Sequence, residues 1–301
     1  MVGVSRHKFA VQILLFDSEH FILSCIENCA KFVDKIYVLY SPQPWSYNPS
    51  AKDLYRNKSN PEVLKSSSHY SKIELVTGNW ATEEAQRNEG LERAKKDGFD
   101  YLIIQDADEF YTPAEYKKNL EGIDANPNFD YYRNPWLLYW KDIEHVIRFR
   151  KVEGKKNTVI NFNANFAINL SRDIYFTCNR KVNSKTPYFL KGLCHHLSYV
   201  MSDEMMFRKL STWGHSNRVN IELWYKSKWL AWRPGTVFIN PFDYVSWLGT
   251  DEYVGEQPKE ILDVQFQNNY QEPTLGLLLN VWLKTAINFV KLFINKIIGR
   301  V

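Results

Sequence analysis

The sequence predicts an α/β fold in which a mainly parallel sheet is flanked by helices. In the first 110 residues, short apolar runs of strand length alternate with longer segments whose apolar residues follow helical spacing. With 301 residues and 45% hydrophobic content, the chain can bury one large core but is short for two full domains. We therefore expect one main domain over residues 1–270 and a distinct segment over 271–301.

The first strand–helix–strand unit starts near residue 9. Residues 9–16 (FAVQILLF) and 35–40 (KIYVLY) are apolar enough for buried strands, and residues 19–32 between them follow helical spacing. Such a unit starts a parallel sheet, in which ligands bind beyond the carboxyl ends of the strands. Asp17 and Glu19 follow the first strand, so we expect them on the ligand side.

A long polar segment separates this unit from the next one. Residues 45–71 are rich in Ser and Asn and predict a surface loop, and residues 72–77 predict a third strand. A helix is expected from about Thr82, its N-cap, to Lys96. This helix carries Arg87 and Asn88, which on their own indicate a solvated face.

The central strand ends in a cluster of acids. In residues 99–110 (FDYLIIQDADEF), a short buried strand is followed by Asp106, Asp108 and Glu109. Two carboxylates at alternate positions can face one hard divalent ion, Mg²⁺ or Mn²⁺, which leaves coordination positions open for phosphate oxygens. The alternative is a solvated turn or a helix cap, although Thr112 already supplies the N-cap of the following helix.

The second half of the chain predicts further strands. Residues 130–140, 143–149 and 159–170 alternate apolar and polar positions, as half-buried strands do. His195 and His196 then lie next to each other in another apolar segment. Neighbouring side chains of a strand point to opposite faces, so at most one of the two should reach a common ligand.

Composition argues against a nucleic-acid partner and against structural sites built from cysteine. The net charge of +4, from 38 basic and 34 acidic residues, is too small to indicate a nucleic-acid partner. The four cysteines form no Cys-x-x-Cys pair, so neither a disulfide framework nor a structural zinc site is expected, and a reducing, cytoplasmic location is predicted. Aromatic residues make up 15% of the chain, which suits stacking on sugar rings as well as an ordinary core.

The final segment differs from the rest. Residues 275–301 predict an apolar helix with one narrow polar stripe that carries lysines and no acid. The stripe consists of Asn280, Lys284, Asn288, Lys291 and Asn295. The segment contains no uninterrupted run of eighteen apolar residues, so we predict no membrane-spanning helix. We expect this helix to lie in a membrane interface, which would make the protein peripheral at the membrane; the alternative is packing on the protein body or in a dimer.

Two blocks of residues carry a family resemblance over residues 9–245. The series Glu83-x-x-Gln86-Arg87-Asn88-x-Gly90, followed by Gly98-Phe99-Asp100-Tyr101 and Asp106-Ala107-Asp108-Glu109-Phe110, resembles the nucleotide-sugar glycosyltransferases of the GT-A fold, in particular family 2-like bacterial and viral members. The block from His196 to Glu204 is similar to the second half of the same group. The resemblance implies a Rossmann-like GT-A domain with a nucleotide-binding half over about 1–112 and an acceptor half over about 113–270.

The resemblance also implies roles for individual residues. It implies that Asp106 and Asp108 bind Mn²⁺ or Mg²⁺, with Asp106 also close to the nucleotide-sugar, and that His196 completes the metal site. Further nucleotide contacts are implied for Asp17, Glu19, Arg87 and Asn88. The expected donor is a UDP-sugar, and the expected acceptor is a glycan or a lipid-linked molecule.

An inverting transfer needs a carboxylate that takes a proton from the acceptor hydroxyl. Asp203 and Glu204 are the candidates, because they follow His196 closely and begin a helix. Their alternative role is that of ordinary acids at a helix N-terminus. The family's usual Gln-x-x-Arg-Trp motif is missing from this sequence. Two other functions stay open, a metal-dependent phosphoesterase and a non-catalytic carbohydrate-binding module.

Overall fold

The structure is a computed structural model that describes residues 7–45, 56–150, 158–212 and 219–297. The chain forms two compact units. Unit 1 comprises Met1–Leu137, Asn161–Ser198 and Gly255–Asp263, and unit 2 comprises Leu138–Ile160, Tyr199–Val254 and Val264–Val301. The halves predicted from the sequence, 1–112 and 113–270, stay predictions.

The strands follow one another along the chain as β1 (Phe9–Leu15), β2 (Lys35–Tyr40), β3 (Ile73–Thr77), β4 (Tyr101–Ile104), β5 (Glu109–Phe110), β6 (Tyr131–Trp140), β7 (Asp142–Phe149), β8 (Ile160–Asn169), β9 (Phe176–Cys178), β10 (Lys181–Val182), β11 (Pro187–Phe189), β12 (Cys194–Tyr199) and β13 (Trp247–Glu252). The α-helices are α1 (Glu19–Cys29), α2 (Glu83–Lys96), α3 (Pro113–Asp124), α4 (Asp203–Thr212), α5 (Ile221–Trp224) and α6 (Leu275–Ile297). Short 3₁₀ helices lie at Pro61–Ser66, Tyr70–Lys72 and Lys259–Ile261, and a π-helical turn at Tyr225–Trp229.

Unit 1 confirms the predicted α/β class. Its strands run in the order β3-β2-β1-β4-β8, where the first four are mutually parallel and β8 is antiparallel to β4. The parallel arrangement follows from the alternation of strands and helices, because α1 and α2 return the chain to the same edge of the sheet. The acids after β1 and β4 therefore lie at the same edge, since these two strands are adjacent and parallel.

Local sequence explains where the helices of unit 1 begin. Thr82 Oγ1 accepts a hydrogen bond from the backbone N–H of Ala85, and Thr112 Oγ1 accepts one from that of Glu115. Pro113 occupies the first turn of α3, where its missing N–H is not needed. The predicted loop over 45–71 contains the 3₁₀ helix Pro61–Ser66 and most of the 3₁₀ helix Tyr70–Lys72. Residues 46–55 lie outside the described part.

The segment before β12 approaches α3 very closely. The amide of Gly192 donates to Asn119 Oδ1 at 2.7 Å. A Cβ atom at residue 192 would lie 2.2 Å from the backbone oxygen of Glu115 and 2.3 Å from Asn119 Oδ1. Only glycine fits this contact, because the nearest atom belongs to the backbone of a helix.

Unit 2 is organised around an aromatic core. Trp140 lies 5.3 Å from Tyr199, 5.8 Å from Trp224 and 5.4 Å from Trp229, measured between ring centroids. All four rings are buried. These aromatic residues therefore form a core in this unit and are not available for sugar stacking.

Helix α6 closes the chain at Leu275–Ile297. Among the described residues it is the one helix that is long and apolar enough to cross a membrane by length and composition, over Leu275–Ile294 with a mean hydropathy of 1.5. The absence of a membrane-spanning helix stays a prediction, because length and average hydropathy alone do not decide whether α6 crosses a membrane. Residues 298–301 of the predicted helix lie outside the described residues.

Candidate functional site

The candidate site is built on an acidic turn, residues 105–109, that follows β4. The turn is closed by hydrogen bonds from Glu109 N to Asp106 O at 2.9 Å and from Gln105 Nε2 to Glu109 O at 2.8 Å. The amide of Asp106 donates to Glu109 Oε2 at 3.1 Å. Strand β5 then pairs antiparallel with β12, which sets Glu109 opposite His196. These contacts fix the acidic turn at the carboxyl end of the parallel strands.

Arg87 holds Asp106 from one side. Its Nη2 donates to Asp106 Oδ1 at 2.9 Å and to Oδ2 at 3.1 Å, and its Nε donates to Glu83 Oε1 at 2.9 Å. The side chain is 2% exposed. Glu83 and Arg87 are four residues apart on α2, so they share one face of that helix. The polar positions that resembled a solvated helix face in the sequence are therefore buried against the acidic turn.

Arg180 joins the site from the turn between β9 and β10. Its Nη1 donates to Glu109 Oε1 and, at 3.1 Å, to Asp106 Oδ2. Its Nη2 donates to Glu109 Oε2 at 3.2 Å and to the carbonyl oxygen of Asn165 at 2.8 Å. The preceding Asn179 takes a left-handed φ of 50°, which Asn tolerates better than most residues.

Sequence reasoning missed Arg180. The chain around it has no strong periodicity, and the only local signal is an Asn in a short turn. The residue lies more than 70 positions from the acids that it contacts.

The charges of this cluster shift the protonation of its members. Burial raises the pKa of Asp106, but Arg87 and Arg180 lower it by more, so it lies below its ordinary value. Burial raises the pKa of Glu109 above its ordinary value, and Arg180 opposes this shift without cancelling it. Glu109 is fully buried. The two carboxyl groups therefore differ in their affinity for a proton although they share Arg180.

Asp108 and His196 form a second pair beside the first cluster. Asp108 Oδ1 lies 3.3 Å from His196 Nε2, and Leu197 N donates to Asp108 O at 2.8 Å. The His196 ring also contacts Trp136 edge-on, with 4.6 Å between centroids. The neighbouring His195 is 1% exposed, and burial lowers its pKa to about 4.

Three nitrogen atoms of the ionisable side chains at the site are buried and find no hydrogen-bond partner among the described residues. They are Arg87 Nη1, Arg180 Nε and His196 Nδ1. Buried polar atoms in native proteins nearly always have a partner, so unsatisfied ones point to a ligand or ordered water. Two of the three belong to guanidinium groups, which suit phosphate oxygens.

The donor set fits a divalent cation that takes few protein ligands. No group of three or more His, Cys, Asp or Glu side chains within the described ranges is arranged to hold a metal on its own. The oxygens of Asp106 accept hydrogen bonds from Arg87 and Arg180, whereas Asp108 and His196 bring a carboxylate oxygen and an imidazole nitrogen within 3.3 Å of each other. Asp108 supplies the kind of oxygen ligand that Mg²⁺ and Mn²⁺ prefer, and such an ion can complete its shell with substrate phosphates and water.

The other residues predicted for nucleotide contacts make structural hydrogen bonds. Asp17 Oδ1 accepts from Lys58 N at 2.8 Å, and Glu19 Oε2 accepts from Asn60 N at 2.6 Å. These bonds hold residues 57–60 across the end of β1. Asn88 exchanges two hydrogen bonds with the backbone of Phe176 in β9, at 3.0 and 2.8 Å. Asn88 therefore anchors the hairpin that carries Arg180.

The two base candidates lie in unit 2. Asp203 Oδ1 accepts from Lys141 Nζ at 3.1 Å and from Trp229 Nε1 at 2.8 Å, and Oδ2 accepts from Asn269 N at 2.8 Å. Burial lowers the pKa of Lys141 to about 8, although Asp203 opposes this shift. Asp203 is thus the centre of a largely buried polar cluster, whereas Glu204, the next residue on α4, is exposed.

Comparison with known proteins gives matches among solved structures. No protein-family model matches the chain, and no curated protein matches it. The chain is similar to 4-diphosphocytidyl-2C-methyl-D-erythritol synthase from Anaerococcus prevotii, with 14% identity and a TM-score of 0.36 over 64% of this chain and 90% of that one.

It is also similar to TarS from S. aureus, with 15% identity and a TM-score of 0.38 over 67% of this chain and 38% of that one. For glucosyl-3-phosphoglycerate synthase from Mycobacterium tuberculosis, determined with Mn²⁺, uridine diphosphate and phosphoglyceric acid, the identity is 12% and the TM-score 0.32 over 44% of each chain. The matches thus cover less than half of these two proteins. Identities and TM-scores this low carry no argument about the function of this chain.

Proposed function

We propose that this protein is a metal-dependent glycosyltransferase that moves a sugar from a nucleotide-sugar to a glycan or lipid-linked acceptor. The observation that carries the proposal is the contact of 3.3 Å between His196 and Asp108, a residue of the acidic turn at the carboxyl end of β4. In open α/β sheets this end of the strands is where nucleotides bind. The family resemblance of residues 83–110 points to the same chemistry.

We assign the donor diphosphate to the side of the site that carries Arg87 and Arg180. Arg87 Nη1 and Arg180 Nε are buried donors that lack partners within the described part of the chain, and a diphosphate would supply the acceptors. Asp108 and His196 would hold Mn²⁺ or Mg²⁺, with Asp106 close to the nucleotide-sugar. When bound, this ion would act as a Lewis acid for the charge on the leaving diphosphate. The proposed donor is a UDP-sugar.

The transfer itself needs a base. The acceptor oxygen forms a bond to the anomeric carbon, the bond from that carbon to the diphosphate oxygen breaks, and the acceptor proton passes to a carboxylate. Of the two candidates we assign this role to Glu204, because the oxygens of Asp203 are occupied by Lys141, Trp229 and Asn269. A direct displacement of this kind inverts the configuration of the anomeric carbon.

The test is a thermal-shift screen with UDP, GDP, CMP and dTDP, each with Mn²⁺ and with a chelator. A ligand at ~100 times its dissociation constant stabilises the native state by ~2.7 kcal/mol, which raises the melting temperature by a few degrees. We expect one nucleotide to give a shift that needs Mn²⁺ and that is lost in Asp108→Asn. The matched control is Asp263→Asn, an exposed carboxylate of the same unit, which should keep the full shift.

Other results would favour another function. Mn²⁺ binding that does not depend on nucleotide, together with phosphate release from a simple ester, would support a phosphoesterase. If neither metal nor nucleotide changes the melting temperature, the protein is a binding module and the acidic turn has a structural role.

A further inference from the structure

Helix α6 turns its apolar face away from the protein. Leu275 is 74% exposed, Trp282 69% and Phe293 67%, although side chains of this kind are normally buried. Over Leu275–Ile294 only 6% of the residues are buried. Leu279, Leu283, Ile287 and Val290 are exposed as well. The exposed surface is continuous along the helix, because these positions recur three or four residues apart.

Two residues of the polar stripe, Lys284 and Asn288, face unit 2, whereas Lys291 is exposed. Asn288 Nδ2 donates to the carbonyl oxygen of Asp243 at 2.8 Å, and Lys284 Nζ lies 5.8 Å from the centre of the Tyr244 ring. Val281, on the same face, is buried. A helix that packs on a water-soluble body places its apolar side inward. In α6 most of the large apolar side chains point outward instead, so its outer face suits an apolar environment rather than water.

The charge around α6 indicates which apolar environment this is. The helix contains Lys284, Lys291 and Lys296 and neither Asp nor Glu. The guanidinium of Arg150 lies 4.7 Å from the ring centre of Phe289, which adds another cation along the helix. A cavity of about 290 Å³ beside the helix has Lys284 and Lys291 in its lining. Cations next to an exposed apolar face match a bilayer with anionic headgroups.

The packing also decides the orientation of the helix. A helix that crosses a bilayer is surrounded by acyl chains or by other membrane-embedded helices. One side of α6 is instead fixed to the turn at residues 241–244 by Asn288 and Lys284. That turn carries Asp243 and polar backbone groups, which the hydrocarbon region would not accept. The helix therefore fits the plane of the interface and not a transmembrane path.

We propose that α6 docks unit 2 on the surface of a bilayer containing anionic phospholipids, with the helix axis parallel to the surface. Its apolar face enters the boundary between headgroups and acyl chains, and exposed Lys291 at its flank contacts lipid phosphates. This proposal does not depend on the proposed sugar transfer, because it rests on unit 2 alone.

The test is co-sedimentation of the full chain with vesicles. Vesicles of phosphatidylcholine with phosphatidylglycerol should bind the protein, and vesicles of phosphatidylcholine alone should bind it more weakly. The variant Leu279→Gln/Trp282→Gln/Phe293→Gln should lose binding by more than ~100-fold, since three apolar side chains no longer leave water. Lys291→Gln should weaken binding to the anionic vesicles about five-fold.

The matched control is Val254→Gln. Val254 is an apolar residue of unit 2 that is 89% exposed and lies outside α6. This variant should bind vesicles like the unchanged protein. The substituted positions of the triple variant are exposed as well, so its melting temperature should stay within a few degrees of the original.

Three results would overturn the proposal. The first is the absence of binding to either kind of vesicle. The second is a stable dimer that the triple variant dissolves while vesicle binding is absent, which would make a second copy the partner of α6. The third is resistance of the bound protein to extraction at alkaline pH, which would show that the helix spans the bilayer.

Discussion

Arg180 is the cation that Glu109 and Asp106 share, and replacing it should lower the free energy of unfolding. In Arg180→Met, Glu109 stays fully buried but loses the guanidinium that contacts both of its oxygens. Asp106 keeps Arg87 and is therefore less affected. Taking one partner out of a buried ion pair typically destabilises a protein by about 3–5 kcal/mol, because the remaining charge is uncompensated. We expect a loss near the lower end of that range at pH 7, since Glu109 can take up a proton instead.

Proton uptake gives this prediction a second signature. Burial raises the pKa of Glu109 in the folded protein, and the loss of Arg180 removes the interaction that opposes this shift. The folded state of the variant then binds more protons than the unfolded state at weakly acidic pH, so its stability rises as the pH falls. The deficit relative to the unchanged protein should be smaller at pH 5 than at pH 7. Urea denaturation followed by circular dichroism at both pH values measures it.

Two further variants make the test specific. Arg172→Met removes an arginine that is 44% exposed and lies 3.8 Å from Asp130, and it should change stability by less than about 1 kcal/mol. Glu109→Gln in the Arg180→Met background removes the buried charge and should recover part of the loss. The reasoning is refuted if Arg180→Met is as stable as the unchanged protein, if its deficit is the same at pH 5 and pH 7, or if the two substitutions act additively.

Three other predictions concern residues outside the acidic turn. Asp203→Asn should lower the free energy of unfolding by about 3 kcal/mol in urea denaturation, because buried Lys141 loses its counter-charge. Glu204→Gln should leave this free energy unchanged and lower the rate of sugar transfer. Equal stability of the two variants would contradict the different roles assigned to these residues. The pKa of His195 is about 4 in the folded protein against an ordinary value of 6.5, so the unfolded state binds the extra proton. The free energy of unfolding should therefore fall by up to about 3 kcal/mol as the pH drops from 6.5 to 4. This pH dependence should weaken in His195→Asn and persist in His20→Asn, which removes an exposed imidazole. Gly192→Ala should lower the melting temperature by several degrees in calorimetry, since its methyl group overlaps a helix backbone, and an unchanged melting temperature would show that this segment can move.

The sequence predicted the parts of this protein that local patterns determine. The strands over 9–16 and 35–40, the Thr82 cap and the acids after β4 each depend on residues close in the chain, and the structure has these elements within one or two residues. Arg180 could not be predicted in the same way. It contacts Asp106 only because the β9–β10 hairpin folds back across more than 70 residues.

Charge and polarity patterns were harder to interpret than secondary structure. The polar face of α2 resembled a solvated surface, yet Arg87 is buried there because Asp106 and Glu83 neutralise it. The lysines of the α6 stripe were expected near headgroups, but Lys284 and its neighbour Asn288 face unit 2, and Lys291 is exposed. A pattern of polar residues shows that one side of a helix differs from the other, and only tertiary contacts show which side faces the protein.

The tight contact at Gly192 has a consequence for experiments that map function by random substitution. Gly192 touches none of the groups proposed to bind donor or metal, yet it begins the segment that leads into β12 and His196. Any side chain at this position would push that strand away from α3, and the imidazole would move relative to Asp108. A screen that scores only activity would therefore rank Gly192 with the acidic residues. Measuring protein abundance in the same screen would separate a residue that sets the spacing of the site from those that perform its chemistry.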